Sequence, residues 1–327
     1  MKKQPIVCIS GPTASGKSAL AVELALALKK QGQHAEIISC DSMQIYKGMD
    51  IGTGKVTEEE KQGVVHRMLD ILEPSESCSL ADFAALAHSA IDDCAKNRAL
   101  PILCGGTGLY LDNILYETTL SDAPCDQALR EELEKEENEA LHARLAAVDP
   151  QSAQSVHPNN KKRVIRALEI YLLTGQTKSA WDARSRQKTS RYDARRIYLL
   201  PDAREVLYEK INRRVQGMFD EGLEVEVRAL YEKQLSPTAA QAIGYKEFLP
   251  YFRGECTLDA VKEEIMQASR NYAKRQLTWF KKSIGDACGE GGVPSNAVGG
   301  SLVIDCALPR DEQLRLALAY IGSHGQQ

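Results

Sequence analysis

The sequence lacks any run of eighteen apolar residues, which excludes a membrane-spanning helix as a reading of any segment. It lacks a C-x-x-C pair. Its nine cysteines are scattered from Cys8 to Cys306, which argues against a zinc site or a disulfide framework and for a reducing, cytoplasmic setting. Small buried apolar residues are the plain reading of them. Pro5 and Ser10 interrupt the only N-terminal apolar run, so no secretory signal is expected. An excess of positive charge is also missing. The net charge of −4 speaks weakly against a nucleic-acid partner, although distribution matters more than the sum. Basic residues cluster at Lys161–Arg163 with Arg166, from Arg184 to Arg196, and at Lys274-Arg275 with Lys281-Lys282. An acidic run from Glu131 to Glu139 balances them, and each cluster taken alone reads equally well as a solvated helix face.

What is present is ordinary for a soluble globular chain. The 327 residues are 43% hydrophobic and 26% charged, enough for one large core with a smaller appended or inserted unit. Ile6–Ile9 reads as a buried strand, and the helix-forming run from Ser18 closes on lysines and Gly32. Ala35–Cys40 is a second strand. Ser79-Leu80-Ala81-Asp82 opens a helix with a capping box, and Leu100–Cys104 is a third strand. Strand and helix alternating through short connections predict a parallel sheet covered on both faces.

After about Thr119 the texture turns helical and charged. Asp122–Val148 reads as amphipathic helix. His157–Asn160 reads as a turn into a helix over Lys161–Thr174, with Val164, Leu168 and Leu172 on its apolar face. Strand character returns at Ile197–Pro201, with helices expected over Glu205–Phe219 and Leu258–Phe280 and a loop at 285–300. The expected architecture is α/β: a P-loop NTPase-like parallel sheet flanked by helices, with a helical insertion domain. The core is assigned to residues 1–118 and 196–282, the insertion to 119–195, and 283–327 to a tail of a strand and a helix without identifiable chemistry.

Gly11-Pro12-Thr13-Ala14-Ser15-Gly16-Lys17-Ser18 matches the phosphate-binding pattern G-x-x-x-x-G-K-[ST], between a strand and a helix as that pattern requires. Backbone N–H groups and a helix N-terminus attract phosphate, Lys17 supplies a point charge, and Ser18 a hydroxyl for Mg²⁺. A kinase or ATPase adds a strand ending in a metal-binding Asp. Here the third strand ends instead in Cys104-Gly105-Gly106-Thr107-Gly108-Leu109-Tyr110. The one strand-end acid is Asp41, and spacing leaves it open as a metal ligand, a general base or a helix N-cap.

Six stretches then resemble, in order, motifs of bacterial tRNA dimethylallyltransferases. They are Gly11–Ser18, Asp41–Gln44 with Gly48–Thr53, Gly105–Tyr110, Arg163–Glu169, Gln241–Glu247 and Tyr272–Phe280. The resemblance covers roughly residues 5–282. It implies that the P-loop binds the diphosphate of dimethylallyl diphosphate, with Mg²⁺. It implies that Asp41 is the general base and that Thr107 sits beside donor and target adenosine. Arg214, next to Arg213, matches an arginine that contacts the diphosphate. Asp41, Ser42, Met43 and Gln44, then Lys162, Arg163, Val164, Ile165 and Arg166, then Gln241, Ala242, Ile243, Gly244, Tyr245 and Lys246 match stretches that touch tRNA. Thr107 and Arg130 are further expected contacts. The implied partner is the anticodon stem-loop of tRNA, bound by a monomer in the cytoplasm. The implied target is the adenosine 3′ of the anticodon in tRNAs reading codons that begin with U.

Three departures stand out. His66-Arg67 replaces two consecutive histidines, Asn160–Arg163 holds less arginine than the family pattern, and 283–327 carries no family motif. A P-loop enzyme acting on free AMP or ATP would share the loop and Asp41 but needs neither the basic insertion nor Gln241–Glu247. A small-molecule kinase would need the missing strand-end Asp. Trp279 and Phe280 read as core rather than as base-stacking platforms.

Overall fold

The computed structural model describes residues 3–116, 124–185, 190–288, 297–298 and 300–322. Residues 119–123 of the expected insertion, 186–189 of the Arg184–Arg196 cluster and most of the expected 285–300 loop lie outside this description. The chain divides into two compact units, residues 1–114 with 192–327 and residues 115–191. The sequence reading set these bounds at 119 and 195.

The first unit is built on a seven-stranded sheet in the order β3-β2-β4-β1-β5-β7-β6. Its strands are β1 (Pro5–Ser10), β2 (Ala35–Ser39), β3 (His66–Arg67), β4 (Leu100–Gly105), β5 (Asp193–Leu200), β6 (Ala297–Val298) and β7 (Ser301–Asp305). All pairings are parallel except β6 with β7. The central strands are continuous hydrophobic runs because both faces are covered: β1 from Ile6 to Ile9 is at most 1% exposed. The helix Lys17–Lys30 buries Leu20, Leu24 and Leu28, four residues apart on one face, against the sheet. Full burial of each such side chain contributes about 1.5–3 kcal/mol. Gln31 and Gly32 return their N–H groups to Leu28 and Lys29 carbonyls, and Gly32 at φ 83 ends the helix as expected. The capping box at Ser79 is formed in both directions, opening the helix Leu80–Lys96.

The tail is an integral part of this unit. Strand β7 pairs along β5 from Arg196–Ser301 to Leu200–Asp305, and the helix Arg310–Gly322 buries Ala317 in the same core as Leu20 and Leu24. The last long helix runs Leu258–Cys288, past the expected Phe280 and through the first residues assigned to a loop. Phe280 is buried, whereas Trp279 is 39% exposed and lies against Gly108. The core reading therefore holds for Phe280 and fails in part for Trp279.

The second unit is helical. The single helix expected over Asp122–Val148 is two, Gln127–Leu133 and Asn138–Val148, the first capped by Asp126 accepting from Ala128 N and Leu129 N. Leu133, Leu141, Leu145, Val164, Ile165 and Leu168 form its core. Leu172, expected on that apolar face, is 46% exposed, whereas Ile165 is buried. At its centre the fully buried Glu169 accepts two hydrogen bonds from Arg130, at 2.9 and 3.0 Å, and one from Arg166 at 2.5 Å.

Candidate active site

Three strand ends lie level. Ser10 of β1 pairs with Gly105 of β4, and Ser39 of β2 pairs with Cys104. Parallel strands put their carboxyl ends on one edge, where open α/β sheets bind ligands. The P-loop, Asp41–Gln44 and Gly105–Thr107 therefore gather there. In the P-loop, Ala14 and Gly16 adopt φ of 61° and 87°. Left-handed residues among right-handed ones turn successive N–H groups inward, which makes a concavity for an anion. A left-handed alanine costs on the order of 1 kcal/mol, and such strain persists where surroundings enforce it. Gly11 is required by space: a Cβ would lie 2.5 Å from the Leu199 carbonyl oxygen. The buried Ser15 hydroxyl has no hydrogen-bond partner among the described residues, as a donor reserved for a phosphate oxygen would. Among the described residues Lys17 Nζ makes only a long 3.4 Å contact to the Pro12 carbonyl. Burial pulls the Lys17 ammonium below its ordinary pKa; Arg214 adds to the fall, while Asp41 opposes it. A bound anion would reverse that penalty.

Two long-range side chains hold the loop. Gln276, itself buried, accepts from Thr13 N and donates to the Gly106 carbonyl, both at 2.9 Å, so it ties the P-loop to the glycine turn after β4. Arg310, from the tail, donates to the Gly16 carbonyl at 3.1 Å and to Gln313 Oε1 at 2.9 Å.

Beside the loop opens a cavity of about 490 Å³. Thr13, Asp41, Thr53, Arg214, Tyr272 and Arg275 supply polar groups to its wall, and Ile211, Val215, Met218 and Ile265 an apolar flank. Asp41 Oδ1 accepts from Met43 N at 3.0 Å. That is a side-chain turn two residues on, so the helix N-cap reading is replaced. Arg214 is inside the wall and donates to the Thr53 carbonyl at 3.1 Å, whereas Arg213 is exposed. Burial lowers the Arg214 pKa, with Asp41 acting against that fall. The Thr107 hydroxyl is 2.9 Å from Tyr272 Oη. Burial first, then the Asp41 charge, pushes the Tyr272 phenol up to about 12, so it stays a neutral hydrogen-bond donor. Among the described residues no cluster of three His, Cys, Asp or Glu could form a metal cage.

The IPP transferase family model matches residues 44–283, and the isopentenyl transferase model matches residues 4–76. The chain belongs to the IPP transferase family. Among its relatives, the tRNA dimethylallyltransferase of Bacillus subtilis (strain 168) is 47% identical over 287 residues, spanning 86% of this chain and 89% of that one. That of Geobacillus thermodenitrificans is 50% identical over 286 residues, spanning 86% and 89%. A solved tRNA isopentenylpyrophosphate transferase from Bacillus halodurans superposes with TM-score 0.69 at 40% identity, covering 98% of this chain and 96% of that one. A eukaryotic dimethylallyltransferase described as acting on tRNA superposes with TM-score 0.78 at 27% identity, covering 98% and 80%. The P-loop NTPase-like fold expected from the sequence is the fold of this IPP transferase.

The stretches expected to touch tRNA separate by exposure. Ser42, Met43, Gln241, Ala242, Ile243 and Lys246 line the cavity with Asp41. Lys162 and Arg163 are exposed on the second unit. Val164 and Ile165 have their side chains in the core, buried by the helical period that exposes their two neighbours. Arg130 and Arg166 are committed to Glu169, as described above. Gln44 is held between Ser39 Oγ and the Gly54 carbonyl, and Gly244 is tied to Glu247. Tyr245 is fully buried, its phenol given to Glu226 at 2.7 Å. Arg67, at the departing His66-Arg67 pair, is bound to the buried Glu36. Sequence reasoning assigned no role to Gln276, Tyr272, Arg310 or Glu226. The first two stand in a recognised motif; the others carry no local signal at all.

Proposed function

We propose that this IPP transferase moves the dimethylallyl group of dimethylallyl diphosphate onto the exocyclic amine of the adenosine 3′ of the anticodon, in tRNAs that read codons beginning with U. The observation that carries the reading is one cavity walled by Thr13 of the P-loop, Asp41 and Arg214, the last two close enough to act on the Lys17 ammonium. The P-loop amides, Ser15 and Lys17 take the diphosphate, and the apolar flank takes the five-carbon tail. The adenine amine is a poor nucleophile because its lone pair is delocalised into the ring. As its nitrogen bonds to the donor's C1, the C1–O bond breaks and diphosphate leaves with the electron pair. Asp41 removes the amine proton, which cancels the positive charge developing on nitrogen; a positioned base is worth about 10²–10⁴ in rate. Arg214, Lys17 and the loop N–H groups meet the charge growing on the leaving oxygen. Mg²⁺, held by Ser18 and the diphosphate itself, would add further charge neutralisation. Thr107, with Tyr272, orients the reacting groups.

The base must leave its stack to enter such a cavity, at a cost of a few kcal/mol, roughly. Exposed Lys162, Arg163 and Gln241, with half-buried Lys246, are the groups we assign to RNA, through phosphates and splayed bases. A basic insertion and the Gln241–Lys246 wall favour tRNA over free AMP as acceptor. The scattered free thiols suit a cytoplasmic enzyme. Asp41→Ala tests the assignment: transfer is expected to fall by about 10²–10⁴, with donor and tRNA binding retained. Transfer at the parent rate would remove Asp41 as base.

A further inference from the structure

Glu226 lies in the helix Leu223–Tyr231, outside every stretch that carries the family resemblance. Its carboxylate accepts from three successive backbone amides. Oε2 takes Asp50 N at 3.0 Å and Ile51 N at 2.7 Å; Oε1 takes Gly52 N at 3.0 Å. The Tyr245 phenol donates to Oε1 at 2.7 Å. Converging backbone N–H groups of this kind form an anion site, and here the anion is the protein's own. Burial, reinforced by the Glu226 charge, raises the Tyr245 pKa, so the phenol stays a donor.

The gripped segment runs on into the cavity wall. Thr53, the next residue, gives its carbonyl to Arg214 Nη2 at 3.1 Å. Gly54 follows, and a Cβ there would overlap the Arg214 guanidinium. The Tyr245 ring packs so closely on Gly52 that a Cβ at Gly52 would lie 2.5 Å from it. One carboxylate therefore joins the loop that aims Arg214 to the Gln241–Lys246 wall.

We propose that Glu226 is a positioning residue for donor turnover: it touches no substrate, and it holds Asp50–Gly54 so that Arg214 faces the leaving diphosphate. The inference rests on the proposed function, through the role of Arg214. Only a carboxylate satisfies the geometry. Glutamine turns one of the two oxygens into an amino group, which then faces either the Asp50 and Ile51 amides or the Gly52 amide and the Tyr245 hydroxyl. In the first case two amides oppose a donor; in the second the Gly52 amide does, while the Tyr245 hydroxyl can turn and accept.

A double-mutant cycle tests this, with kcat/KM for dimethylallyl diphosphate at saturating tRNA as the readout. In the parent background Glu226→Gln is expected to lower it about tenfold or more, the scale of coupling between residues sharing partners. In an Arg214→Ala background, where no guanidinium remains to be aimed, the same substitution is expected to cost less than about threefold. A merely structural Glu226 predicts the same loss in both backgrounds, and that result, or no loss in the parent, overturns the proposal. Should Glu226→Gln fail to fold, Tyr245→Phe, which removes one of the four partners, carries the same cycle. A parent protein that transfers nothing from dimethylallyl diphosphate sinks the proposed function itself, which distinguishes that failure from this one.

Discussion

Gln276→Met isolates the link between the P-loop and the glycine turn after β4. Methionine keeps the length and volume of the side chain, so packing is nearly conserved, and what is lost is two hydrogen bonds of 2.9 Å. Each is worth a net 0.5–1.5 kcal/mol, roughly. The Gly106 carbonyl is buried and is left without this donor, a penalty of about 1–3 kcal/mol. Thr13 is only partly buried, so its N–H can turn to water. The sum is on the order of 2 kcal/mol, which corresponds to about thirtyfold in an equilibrium or rate. The bonds fix the loop that holds diphosphate, so the loss should be felt in kcat/KM for dimethylallyl diphosphate. The expected fall is about ten- to thirtyfold. Steady-state kinetics with saturating tRNA, alongside a thermal melt, measures it. A lower melting temperature with unchanged kcat/KM would make Gln276 a purely structural tie and refute the reasoning. No change in either would deny the bonds themselves.

Lys17→Ala removes the charged P-loop side chain; donor affinity is expected to fall about 10–100-fold, the value of one or two charge-assisted bonds, read by calorimetric titration with dimethylallyl diphosphate. Glu169→Gln weakens the centre of the second unit. Because both arginines are partly exposed, the cost is about 1–3 kcal/mol rather than that of a dry ion pair, and protease cleavage within residues 124–185 should accelerate before cleavage of the first unit does. Glu36 gives a pH signature. Burial alone would raise its pKa, but Arg67, Asn97 and Cys94 outweigh that and hold it below the ordinary value of 4.5. A depressed carboxylate contributes stability that is present above its unfolded pKa and lost as pH falls through the folded one. Wild-type protein should therefore lose more stability than Glu36→Gln as pH falls from about 5 to about 2, measured by urea midpoints; parallel losses would contradict the assignment.

The parts of this enzyme that were legible in its sequence are those with local causes. The P-loop, the capping box at Ser79 and the helix stop at Gly32 are short-range signals, and each stands where residue chemistry puts it. Strand β3, two residues at the sheet edge, has no periodicity to read. The tail looked empty because its strand and helix gain meaning only by pairing with β5 and capping Gly16, a contact 294 residues apart in sequence. Glu226 belongs to the same class: on its helix it is one more charge, and its partners arrive from about 175 residues away. Val164 and Ile165 show the converse. Motif resemblance grouped them with Lys162 and Arg163, while the helical period alone would have turned them inward.

The most direct test of the account is transfer of labelled dimethylallyl from its diphosphate, with Mg²⁺, into unmodified tRNA and, in parallel, into free AMP. Label in tRNA alone is the predicted result. Label in AMP would contradict it, since the insertion and the Gln241–Lys246 wall would then have no part in choosing the acceptor; label in neither would contradict the chemistry assigned to the cavity.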